Sequence, residues 1–168
     1  MESLIHENED DSSRRLSYQA LTFFAHTVLA LVTWFALMLA GYALIPLWFA
    51  EGAVSQSAIL CVSLFVPFLV GFVVNRFRQD DMAPLIWLMG LIWALIICLW
   101  ILDMPTGPGE CFQCDATEKL SRTFFSWPSP SGLIDNDGPF LCTWPAAALV
   151  GYAIGARLSL RPRPTTND

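Results

Sequence analysis

The five cysteines are the residues of this chain whose types and spacing hold the most chemistry. Cys111-Phe112-Gln113-Cys114 has the CxxC spacing that permits a reversible small-loop disulfide, and Cys142 stands at the start of an apolar run. Two readings compete. In one, a structural disulfide joins Cys111 to Cys114, or either of them to Cys142. In the other, Cys111 and Cys114 exchange with Cys142 or an external partner and pass electrons toward a membrane quinone. That relay needs an exposed thiol with a lowered pKa, for which Lys119, Arg122 or a helix N-terminus is the nearest source. Cys61 and Cys98 lie inside apolar runs and read as free thiols.

Other chemistries find fewer of the residues they need. The chain has two histidines, neither beside the CxxC pair, so a mixed Cys/His zinc site is not expected, and Cys111, Cys114 and Cys142 fall short of a four-cysteine site. The turn Asp135-Asn136-Asp137-Gly138 has too few ligands at the right spacing for calcium. His26 is the one histidine inside an apolar run; haem held by two histidines would need a second, and His6 sits in an acidic start that reads as disordered. A hydrogen bond from His26 to a backbone carbonyl, to Thr22 or to Thr33 is the expected arrangement. No Asp, Glu, Lys or Arg lies deep in an apolar run, so the polar relay of a pump is missing. A small-solute path would require Thr27, Thr33, Gln56, Ser57, Ser63 or Asn75 to converge.

The elements that must position these residues follow from composition. Of 168 residues, 55% are hydrophobic and 14% charged, too apolar for an ordinary soluble domain and incompatible with a disordered regulator or a disulfide-stapled secreted module. The net charge of −6 argues against a nucleic-acid partner. The apolar residues fall into blocks at 21–45, 55–74, 83–102 and 141–156. The first three are long enough to cross a hydrocarbon layer of about 30 Å; the fourth reaches that length only if Leu158, Leu160 and a snorkelling Arg157 extend it. The expected fold class is therefore all-α: a polytopic membrane protein with four transmembrane helices in a bundle and both termini cytoplasmic.

The side assignment rests on Arg14, Arg15, Arg76, Arg78, Arg157, Arg161 and Arg163, which lie on one side of such a bundle, against Lys119 and Arg122 on the other. The segment 103–140 is then extracytoplasmic, in a plasma membrane or bacterial inner membrane. Residues 1–20 form an acidic cytoplasmic tail, 21–157 the transmembrane domain with that loop, and 158–168 a basic cytoplasmic tail. A short helical piece is expected near 117–124, with Phe124, Phe125 and Trp127 on the membrane surface or over the bundle mouth. No signal-peptide pattern precedes the first run.

Within the runs, Ala147, Gly151 and Gly155 recur at four-residue spacing and form a smooth stripe for close helix packing, within the bundle or against another membrane protein. Ala36 with Ala40, and Gly90 with Ala94, make shorter versions. Pro67 removes the N–H that would pair with the Ser63 carbonyl, so a kink is expected, with the Ser63 hydroxyl a candidate to repair it.

This layout is similar to the four-helix membrane thiol oxidoreductases of the DsbB and vitamin K epoxide reductase kinds in size, in termini placed inside, and in outer cysteines near helix ends. The chain departs from them in that the first loop, Pro46 to Val54, has no cysteine, and CxxC lies well before the fourth run with Cys142 alone at its start. The resemblance implies quinone-coupled thiol chemistry at Cys111, Cys114 and Cys142. The residues themselves favour a non-enzymatic subunit, assembly factor or scaffold of a membrane complex that binds no cofactor, with thiol–disulfide exchange and small-solute transport as the alternatives.

Overall fold

A computed structural model describes residues 2–44, 56–104, 115–125 and 142–160 of the chain, and every element among them is helical. The order is α1 (Glu2–Leu44), α2 (Gln56–Phe77), a 3-10 turn (Ala83–Ile86), α3 (Trp87–Asp103), α4 (Ala116–Phe125) and α5 (Thr143–Ser159). The acidic start is not an irregular tail: α1 begins at Glu2. Glu2, Glu7, Glu9, Asp10 and Asp11 lie toward its positive end, and glutamates are good helix formers.

Four spanning helices with both termini on the cytoplasmic face are not what the structure gives. Among the described residues three stretches are long and apolar enough to cross a membrane: Ser13–Gly41, Ala58–Phe77 and Ala83–Asp103. The fourth run forms α5, whose 17 residues give a length of about 26 Å, short of a hydrocarbon layer of about 30 Å. With three such stretches, nothing ties both ends of the chain to one face. The difference is one of burial as well as length. In the most apolar window of each spanning stretch only 22% is buried, the rest presenting side chains such as Phe35, Phe65, Leu95 and Leu99 outward. In α5 the residues Trp144, Pro145, Ala148, Leu149, Gly151, Tyr152, Ala153, Gly155, Ala156 and Ser159 are all buried. Small residues and a few aromatics suit a helix surrounded by its neighbours, whereas long aliphatics suit one facing lipid.

The most extensive contact in the molecule is between α2 and α5. Gly151 lies against the Leu64 carbonyl and Gly155 against the Phe68 carbonyl, while Gly71 of α2 lies against the Tyr152 carbonyl. Both numbers rise together, so the two helices run parallel with their backbones nearly touching. The small-residue stripe therefore meets α2 of the same chain at Gly151 and Gly155, not a partner protein. Pro67 and Ser63 are buried within α2, which continues through the proline, and the Ser63 hydroxyl makes no hydrogen bond among the described residues. It does not repair the ladder as expected.

Around this pair, α1 packs through Ala30 against Ala83, Ile86, Leu149, Tyr152, Ala153 and Ala156, and through Trp34 against Trp144 and Ala148. At the far end α4 covers the bundle, close to the expected 117–124. Asp115 begins it, its Oδ1 accepting from the Glu118 N–H at 2.7 Å. Lys119 Nζ donates to the Met104 carbonyl at the end of α3, and Thr143 Oγ1 donates to the Phe124 carbonyl at 3.0 Å. Leu120 and Phe124 then close over Ile97, Ile101 and Cys142. Phe125's side chain and Trp127 lie outside the described residues.

Candidate functional site

Polar side chains from three elements meet at the end of the bundle opposite α4. His26, buried in α1, faces Tyr152 of α5, with the ring Nδ1 2.7 Å from the phenol oxygen and the two rings 5.8 Å apart at 57°. Its other nitrogen, Nε2, lies 3.6 Å from Oδ2 of Asp80 in the turn after α2. The expected partners of His26 were a backbone carbonyl, Thr22 or Thr33; the structure supplies a phenol and a carboxylate instead. Thr22 and Thr33 donate to the carbonyls of Gln19 and Leu29 on their own helix, leaving the imidazole to α5 and the turn. One ring nitrogen is thereby hydrogen-bonded to the phenol and the other faces the carboxylate.

The turn that carries Asp80 is fixed by Asn75. This side chain is fully buried; its Oδ1 accepts from the Asp80 N–H at 2.8 Å and its Nδ2 donates to the Ala156 carbonyl at 2.8 Å. Asp80 Oδ1 in turn accepts from the Met82 N–H at 2.9 Å, starting the 3-10 turn that leads into α3. Ser159 Oγ adds a second bond to the Ala156 carbonyl at 2.7 Å. Asn75, Asp80, His26 and Tyr152 thus tie α1, α2, the turn and α5 together. The hydrogen bond to the phenol and the carboxylate facing the other nitrogen orient the imidazole ring. Tyr152 is wholly buried, so a reactant has no approach to its oxygen.

This cluster was hidden in the sequence. Asp80 sits in RFRQDDM, which reads as an ordinary polar connection, and Tyr152 stands alone in a Gly/Ala-rich run. The usable signal was His26 itself, because a histidine inside a span needs a polar partner from another helix.

The residues foreseen for chemistry are distributed differently. Cys111 and Cys114 lie outside the described residues. Cys142 precedes α5 as a free, fully buried thiol against Ile97 and Ile101. Burial there, with a smaller contribution from Cys98, pushes its pKa up to about 12, which leaves almost no thiolate near neutrality. Lys119, one of the cations that could have lowered a thiol pKa, is buried and bonded to Met104. In detergent at pH 7.4, with reductant present, Cys142 is expected to react with a maleimide at least about tenfold more slowly in the folded chain than after unfolding in SDS, as read by mass spectrometry. Equal rates would show that α4 does not cover it.

Among the described residues, those named for a solute path do not gather into one. Thr27 and Thr33 donate to Phe23 and Leu29 on their own helix, Asn75 bridges α5 and the turn, and Ser63 is enclosed within α2. Gln56 and Ser57 have side chains outside the described set. Among the described residues no three His, Cys, Asp or Glu side chains come together as metal ligands. No protein-family model, curated protein or solved structure matches the chain.

Proposed function

We propose that this all-helical integral membrane protein is a non-enzymatic subunit, assembly factor or scaffold of a membrane complex. One observation carries the reading: inside the bundle His26, Tyr152, Asn75, Thr27 and Thr33 bind one another or nearby backbone, Ser63 being the exception. His26, Tyr152, Asp80 and Asn75 hold helices together, and Thr27 and Thr33 serve their own helix. What the molecule presents outward is a set of lipid-facing helices and the segment around α4. The charge pattern supports placing 103–140 on the extracytoplasmic side, since Arg76, Arg78 and Arg157 belong to the end that holds Asn75, against Lys119 and Arg122 of α4. Contact with partners falls to the segment 103–140 and to Ala147, since Gly151 and Gly155 are already against α2.

Mild extraction of the full chain from its own membrane, followed by cross-linking and mass determination, tests this. The expected result is one discrete assembly of defined stoichiometry, lost when 105–114 is replaced by a Gly/Ser linker of equal length. A monomer whose Cys111 and Cys114 cycle between thiol and disulfide only when quinone is supplied would overturn it and support the thiol oxidoreductase.

A further inference from the structure

The groove between α3 and α5 carries a charge that the helix-tying role does not use. The two helices run antiparallel, since Cys142 packs against Ile97 and Ile101 whereas a Cβ on Gly90 would meet Ala146, Leu149 and Val150. Further along, a cleft of about 200 Å³ opens between them, with Pro84 and Trp87 on one side and Val150, Ala153, Ile154 and Arg157 on the other. Its depth in the membrane follows from the chain. The third apolar stretch begins at Ala83 and Arg157 lies in the last turn of α5, so the Arg157 end sits where hydrocarbon gives way to headgroups. From there the lining runs inward through Ile154 and Val150 and is apolar. Arg157 is the one charged residue of that lining, and no carboxylate shares it. Its side chain is exposed and forms no hydrogen bond or ion pair among the described residues, which leaves the guanidinium N–H groups for an anion.

We propose that this groove holds a net-negative phospholipid drawn from the bilayer, with its phosphodiester on Arg157 and an acyl chain running inward past Trp87, Ile154 and Val150. A cation at the headgroup level followed by an apolar wall is the polarity profile of such a lipid. The alternatives each conflict with part of the lining. A zwitterionic headgroup offers the same phosphate but brings an ammonium to a cleft with no carboxylate to receive it. A soluble phosphate ester finds the guanidinium and leaves the apolar walls bare. A second copy of the chain, docked on the same face about a two-fold axis, would set Arg157 against its own equivalent.

The test uses the full chain, purified and delipidated, with phosphatidylglycerol, phosphatidylethanolamine and phosphatidylcholine of matched acyl chains titrated by native mass spectrometry. Phosphatidylglycerol is expected to bind about tenfold more tightly than either other lipid. Arg157→Gln should bring the three to within about twofold, whereas Arg157→Lys, which keeps the charge, should retain a preference of about threefold or more. The side chain is exposed, and Gln and Lys are good helix formers, so both variants should keep the helical circular dichroism of the parent. Soluble glycerophosphoglycerol at the lipid's own concentration should leave the lipid bound, because it has no chain to fill the groove. Equal binding of the three lipids, a preference that survives Arg157→Gln, or a lysine variant no more selective than the glutamine one overturns the proposal. So does displacement of the lipid by the soluble ester, or a dimer that forms in place of the lipid-bound monomer.

Discussion

Replacing Gly155 by alanine should destabilise the bundle by about 2–3 kcal/mol, although the same change in an ordinary helix favours folding by about 1 kcal/mol. The inversion of sign follows from what the new methyl would meet. A Cβ on Gly155 falls inside the van der Waals surface of the Phe68 carbonyl oxygen and lies 2.9 Å from both the Phe68 carbonyl carbon and the Phe72 nitrogen. All three are backbone atoms of α2, so no side-chain rotation relieves the clash and the two helices must separate. Gly151, against the Leu64 carbonyl, and Gly71, against the Tyr152 carbonyl, should respond alike. In a bilayer the hydrophobic effect does not press helix to helix, so losing this close approach removes a principal attraction between α2 and α5. Gly90→Ala is the control, because its Cβ would meet the Ala146 oxygen and the Leu149 Cβ at 3.4 Å each, a gap that a small shift accommodates. Thermal melting in a fixed detergent or bicelle checks the series. A Gly155→Ala protein as stable as the parent would mean that α2 and α5 do not pack in this way.

The same glycines show how far the sequence could be read. Four-residue spacing marks a face and says that something approaches it closely, but it does not name the neighbour. Here the neighbour is α2, which carries its own glycine, Gly71, and nothing in the spacing of either helix selects the other. The three long apolar runs were legible because lipid exposure demands uninterrupted apolar length. The fourth was misjudged by adding Leu158, Leu160 and a snorkelling Arg157 to a run that was short because its helix is buried. The short helical piece near 117–124 was legible as the stretch left between the proline- and glycine-rich turns of its loop, and α4 lies close to it. The polar cluster was not legible, since Asp80 and Tyr152 come from a connection and a helix far apart in the chain. Each has an ordinary local explanation until the fold brings both to His26.

Asn75 is where that cluster is most exposed to test. Asn75→Leu keeps the approximate size of the side chain while removing one acceptor and two donors, and it should cost about 3 kcal/mol. The Asp80 N–H then loses its acceptor at a half-buried site. The Ala156 carbonyl keeps the bond from Ser159, a few residues along the same chain, and α2 loses its hydrogen bond to the end of α5. Asn75→Asp separates the two roles. A carboxylate still accepts from the Asp80 N–H but cannot donate to the Ala156 carbonyl and instead faces it, so this variant should be no more stable than the leucine one despite its smaller change in shape. Two readouts distinguish loss of the network from loss of packing. Hydrogen exchange at the Asp80 and Met82 amides should accelerate by about tenfold or more in Asn75→Leu, and the nitrogen chemical shifts of His26 should move as Asp80 leaves its place opposite Nε2. A leucine variant that melts with the parent and leaves the His26 resonances unmoved would reduce Asn75 to a filler of space. The turn would then owe its position to the Met82 N–H bond and the 3-10 turn alone, without help from α2.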